Sequence, residues 1–150
     1  MKTLLPSDRA AVVGVIDPDA YAANTYTTGW ISMSAFQSIM ACIMAGDLGA
    51  SATVDAKIEQ ATDDSGSDAK DVAGAAITQL TKAGSDDNKQ AVINCNAEDL
   101  DLANDFTHAR LSVTVATAAC DVGAVVLGFD PRYGPASDSD LASVDEIVAL

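Results

Sequence analysis

Aromatic residues are scarce in this 150-residue chain: three Phe, three Tyr and one Trp, 5% of the total. Basic residues are nearly as scarce, eight Lys and Arg against 22 Asp and Glu, for a net charge of −14. The eight stand apart at Lys2, Arg9, Lys57, Lys70, Lys82, Lys89, Arg110 and Arg132. A reader of nucleic-acid backbone needs several Lys or Arg on one surface, so no nucleic-acid partner is expected. An anionic membrane would repel the same surface, so no membrane partner is expected either. Solubility is the plain reading of the acidity; a basic partner is the other. With one histidine, His108, no His-Glu-x-x-His pair exists, and Gly-x-Ser-x-Gly and P-loop patterns are absent. Paired glycosidase carboxylates stay open among so many acids, but a sugar-stacking cleft wants more aromatics. No enzyme activity and no cofactor are expected.

The three cysteines are an odd number with no Cys-x-x-Cys. Cys42, Cys95 and Cys120 each lie in an apolar or small-residue stretch, which reads as reduced core or near-core packing. A metal site is the minor alternative, with only His108 to support it. His108 itself reads as a half-buried strand residue. The most apolar run, residues 39–46, is too short to span a bilayer. "MKTLLP" is broken by Pro6, Ser7, Asp8 and Arg9 before a signal-peptide core can form, so synthesis in the cytoplasm is expected.

What the chain does have is short-period alternation. The length favours one domain, and the hydrophobic 49% is built from Ala, Val, Ile, Leu and Met. In "ATVDAKIE", Ala52, Val54, Ala56 and Ile58 alternate with polar residues, the mark of a half-buried strand. "FTHARLSVTVATAA" does the same with Leu111, Val113 and Val115, and "QAVINCNA" follows suit. "FQSIMACIMAGD" is apolar on both faces, which predicts a central strand or one covered on both sides. "VAGAAITQLTK" reads as one strand, "EDLDLAND" as a polar break with a turn of helix, and "AVVLGF" as the last strand after a "DVG" turn. Six to eight short strands at about ten-residue spacing predict an all-β, antiparallel β-sandwich, jelly-roll or immunoglobulin-like.

The acid-rich stretch "QATDDSGSDAK" (residues 60–70) poses a choice between a calcium loop and a turn. A calcium loop of the EF-hand type needs Gly at the sixth position and Glu at the twelfth. Counted from Asp63, those positions fall out of step: the glycine arrives early, at Gly66, and the twelfth residue is Gly74. The turn reading has its own mechanism, with Gly supplying positive φ and Asp and Ser bonding local backbone.

Both ends differ from the middle. Residues 1–28, with "AAVVGVI" and then "DPDAYAANTYTTGW", read either as an extended arm carrying one short strand or as an ordinary edge strand and loop. Residues 29–135 hold the sandwich. Residues 136–150 are acidic, and Leu141, Val144, Ile147 and Val148 recur at helical spacing, which predicts a short helix needing something to pack on.

From Trp30 to Pro135, the serial pattern resembles a family of small virion proteins of tailed bacteriophages, labelled structural, decoration or head-associated. The pieces that carry it are "ATVDAKIEQA" into an Asp-Ser-Gly turn, "DVAGAAITQLT", "AVINCNAEDLD", "FTHARLSVTVATA" and "VVLGFDPRYGPA". The Pro131-Arg132-Tyr133 exit is the best single marker. The resemblance implies a non-enzymatic capsid decoration (cement) protein on the exterior of the virion, assembled in the host cytoplasm. Its implied partners are the major capsid protein and copies of itself, as a trimer. A head spike, a head–tail joining protein and, more remotely, a carbohydrate-binding module are the rivals. The candidate partner-binding residues are Tyr21, Tyr26, Trp30, Arg132, Tyr133, Leu141, Val144 and Ile147.

Overall fold

Alternation builds the strands where the sequence shows it. In the computed structural model, which describes residues 4–150, β5 (Thr53–Ala61) buries Val54, Ala56 and Ile58 and turns Asp55, Lys57 and Glu59 outward. β9 (His108–Ala116) buries Leu111, Val113 and Val115 in the same way. Eight principal strands form two sheets. β1 (Ala10–Tyr21), β10 (Cys120–Pro131), β4 (Phe36–Leu48) and β8 (Gln90–Asn96) lie in that order in sheet A. β2 (Asn24–Thr27), β9, β5 and β6 (Lys70–Ala76) lie in that order in sheet B. Two-residue strands β3 (Ile31–Ser32) and β7 (Leu80–Thr81) add to β9 and β5.

The pairing is nested. First strand pairs with last (β1 with β10), then β2 with β9, β4 with β8, and β5 with β6 at the centre, all antiparallel. A long hairpin wound on itself in this way is a jelly roll. An immunoglobulin-like sandwich would not nest its strands in this order. Between the sheets, Ile39, Ala41 and Ile43 of β4, Val54 and Ile58 of β5, Leu111 and Val113 of β9 and Val126 of β10 belong to one core, none more than 1% exposed.

The N-terminal segment is not an arm. Ala10–Tyr21 pairs with β10 along its length, and Asn24–Thr27 pairs with β9. The polar composition of residues 17–28 hid this. Sheet B turns polar side chains to solvent, and the β1–β10 register shifts between Val12 and Gly14 and between Ile16 and Asp19 break the alternation. Met1–Thr3 lie outside the described residues. The C-terminal helix is also absent: the tail has a 3-10 turn at Ala136–Ser139 and then runs without helix. Its helical spacing loses to two bonds that hold it along the free edge of β1. Val12 N–H donates to Asp140 Oδ1 at 2.6 Å, and Leu141 N–H donates to the Val12 carbonyl at 2.9 Å. A helix of so few residues has little of its own to set against them.

Smaller departures have local causes. "DVAGAAITQLT" makes two strands, β6 and β7, not one. The "DVG" triplet lies inside β10, and the turn before it is at residues 117–119, where Thr117 takes φ 71°. "EDLDLAND" supplies two 3-10 turns, Ala97–Asp99 and Leu102–Asn104.

Candidate functional site: the outer face of sheet A

The two sheets turn very different faces to solvent. On sheet B, Arg110 Nη2 pairs with Glu59 at 2.8 Å, and Lys57 Nζ meets Asp71 at 2.6 Å and Glu59 at 3.4 Å. Gln79 bonds Asp55, and the Thr25 and Thr114 hydroxyls meet at 2.9 Å. This is an ordinary water-facing sheet, with opposite charges on adjacent strands.

Sheet A has almost none of this. Its register sets Val15, Val125, Cys42 and Val92 side by side across four strands. Two residues along, Val12, Leu127, Met40 and Asn94 form a second row. Phe129 and Met44 extend the face at its ends. Val92 is 52% and Met44 54% exposed and Asn94, the one polar member, is exposed too; the others are half-buried by their neighbours. Strand spacing of about 4.8 Å and rise of about 3.3 Å per residue give a flat face on the order of 400 Å². The largest apolar patch of a soluble monomer is of this order and is often functional.

At one end the face deepens into a trough of 660 Å³ lined by Val15, Pro18, Met44, Gly123 and Val125, with Asp19 and Asp121 at its rim. Pro18 forms its wall by lying directly on Gly123. A Cβ at position 123 would stand 3.0 Å from Pro18 Cα, so a side chain there would push the wall out.

Cys42 gives this face a chemical handle. The three thiols are free. Burial pushes the Cys95 thiol up to about 11, with the nearby Asp99 adding to it, and burial also raises Cys120. Both are 1% exposed, whereas Cys42 is partly open on the outer face. Alkylation of the native chain is expected to modify Cys42 first, with Cys95 and Cys120 reacting only on unfolding. Peptide mapping after a short iodoacetamide pulse checks this; equal labelling of all three would show that the outer face is covered or the core open.

The eight sequence-predicted contact residues do not converge. Tyr21 and Tyr26 stack on each other, centroids 4.2 Å apart, and their hydroxyls donate to the Asp17 and Ala22 carbonyls. They are spent closing the β1–β2 corner. Desolvation, then the charges of Asp17 and Asp19, raises the Tyr21 pKa above its ordinary 10.0. Trp30 lies under the Arg110 guanidinium, 4.4 Å from ring centre, and against Gly66, whose φ of 84° brings the acidic turn down onto the indole. Arg132 and Tyr133 are exposed, Tyr133 at 81%, beside a second depression containing Met33, Leu102 and Phe106. Leu141 lies along β1, its N–H on the Val12 carbonyl, and Val144 N–H turns back onto the Leu141 carbonyl; both are half-buried, and Ile147 is 48% exposed.

The acid-rich turn is occupied by its own backbone. Asp63 accepts from Ser65 N–H at 3.0 Å, Ser67 N–H at 2.9 Å and Ser67 Oγ at 2.7 Å. These bonds, led by the Ser67 amide, hold its pKa below the usual 3.8. Lys70 is drawn away to Asp101 and the Phe106 ring. His108 opens β9 with Nδ1 2.9 Å from Thr107 Oγ1.

No candidate residue pointed to the outer face of sheet A. The signal was present in "FQSIMACIMAGD" and "AVVLGF", each apolar on both faces. Burial on one side and a partner on the other produce the same pattern as burial on both.

No family model matches the chain, and no curated protein matches it. Among solved structures, a protein of Broad Bean Stain Virus is similar over 91% of this chain and 93% of its own, at 9% identity and TM-score 0.48. A protein of infectious bursal disease virus, Gt strain, matches over 86% of this chain and 34% of its own, at 15% identity and TM-score 0.44. A protein of Cowpea mosaic virus matches over 85% and 86%, at 13% identity and TM-score 0.40. The jelly-roll assignment rests on the nested strand order, not on these likenesses.

Proposed function

We propose that the chain is a non-enzymatic virion structural protein, a capsid decoration protein that seats the outer face of sheet A across neighbouring major capsid subunits. The observation that carries this reading is the contrast between the two sheets. One is finished for water with charge pairs, and the other presents adjacent, mostly apolar rows with nothing over them among the described residues. Fold alone would not reach function, because jelly rolls serve unrelated ends; the unfinished face is what asks for a partner. The sequence resemblance supplies the class of partner.

The division of labour follows from the geometry. Sheet A docks and excludes water from its apolar rows. Sheet B, charged and self-paired, faces outward. A net charge of −14 suits an exterior position, away from packaged nucleic acid. Copies clustered about the shell's symmetry axes, as a trimer in the simplest case, would add modest contacts many times over and resist internal pressure by multivalency.

Heads prepared without the chain provide the test. Purified chain should co-sediment with them to saturation and raise the temperature at which they release nucleic acid. Failure to co-sediment at any concentration contradicts the proposal.

A further inference from the structure

Sheet A has two edges, and among the described residues only one is blunted. The outer edge of β1 is held by the tail at Val12, through Asp140 and Leu141, and carries two register shifts and Pro18. At the other edge, β8 has a strand neighbour, β4, on one side only among the described residues. Ala45 N–H donates to the Lys89 carbonyl, and bonding alternates along an antiparallel pair. Gln90, Val92, Asn94 and Asn96 therefore point their backbone groups away from β4. The amide of Asn96 is taken by the Asp99 carboxylate at 2.7 Å; Gln90, Val92 and Asn94 form an open edge.

Exposed edges are normally blunted with Lys, Pro, a bulge or inward-pointing charge. β8, "QAVINCN", has no charged residue and no proline, and its register against β4 runs without a shift. We infer that β8 is a pairing edge for a second copy of this chain, with the two β8 strands antiparallel about a two-fold axis and the two sheets A joined into one of eight strands. This inference does not rest on the capsid reading.

Two features favour a second copy over another strand. The first is continuity. Val92, 52% exposed, meets its counterpart across the seam and extends the apolar rows from one subunit into the next. The second is closure. In the pair, both remaining edges of the joined sheet are β1, each held by its own tail at Val12 and blunted beyond it by two register shifts and Pro18, so assembly stops at two instead of running on as a fibre.

The seam is narrow, well below the roughly 1,200 Å² of a stable interface. The dimer should accordingly be weak and in exchange with monomer. Sedimentation equilibrium over a concentration series tests it on the wild-type chain, Asn94→Lys and Val92→Pro. Asn94→Lys places a charge on the seam. Val92→Pro removes an outward N–H that β4 does not use, a position where an edge strand tolerates proline. The expected result is a monomer–dimer equilibrium in wild type and monomer in both variants, with wild-type circular dichroism for at least Asn94→Lys. Hydrogen exchange at the Val92 and Asn94 amides should slow as wild-type concentration rises. A wild-type chain that stays monomeric at every concentration overturns the inference. So does a dimer that survives Asn94→Lys with those two amides still exchanging freely, which would place the contact elsewhere. Neither outcome touches head binding, which the co-sedimentation experiment reads separately.

Discussion

Gly128→Ala will destabilise the fold by about 2 kcal/mol, an overpacking cost, and Phe36→Leu in the same chain will return part of it. Gly128 sits mid-strand in β10, paired with Ile39 of β4 and Ala11 of β1. Glycine is a poor strand residue in general, and here the space explains it. A Cβ at position 128 would lie 2.7 Å from Phe36 Cδ2 and 2.8 Å from both Cγ and Cε2. The Phe36 ring is 2% exposed and among the largest fully enclosed or nearly enclosed side chains of the core, so it has nowhere to swing. The missing side chain is the slot in which the ring lies flat. Chemical denaturation of the two single variants and the double variant reads the coupling directly. Strict additivity would show that ring and glycine do not share this contact.

Met44→Glu will abolish binding to the head while leaving the monomer's stability within about 0.5 kcal/mol, as expected of an exposed surface change. Met44 lies on the outer face of β4 beside Gly123 of β10, bordering the trough, and is 54% exposed. Its burial against a partner would contribute about 1.5–3 kcal/mol. A carboxylate in its place would have to be desolvated without a counter-charge, a larger penalty still. Together these predict at least a 100-fold loss per contact, amplified when many copies bind one shell. The matching control is Thr114→Glu on the outer face of sheet B, a half-exposed site on the water-facing side. Equal loss from both would point to general charge repulsion; loss from Thr114→Glu alone would put the docking face on the wrong sheet.

The parts of the fold that obey one rule could be read from the residues. β5 and β9 are buried on one face and wet on the other, and Val54-Asp55-Ala56-Lys57-Ile58 says so by itself. The ends could not be read this way. β2, "NTYT", is an edge strand of four residues whose only strong anchor is half-buried Tyr26, so its sequence looks like loop. Leu141 and Val144 keep helical spacing, but the contacts that decide their path, Asp140 and Leu141 on Val12, lie 128 and 129 positions away in sequence and leave no local trace. The candidate site failed for a related reason. Tyr21, Tyr26 and Trp30 attracted notice as rare aromatics, yet each is engaged within its own chain. The face that is unengaged consists of Val, Leu, Met and Cys, residue types that look like core. Only the winding of the strands shows that alternate members of β4 and β10 point inward and the rest point out to solvent.

Quantitative mass spectrometry of purified particles, against the major capsid protein, reads whether this chain decorates a capsid lattice. Decoration requires a copy number that follows the major capsid subunit one to one or in a simple fraction. Absence of the chain from the particles, or its presence in only a handful of copies, would contradict it.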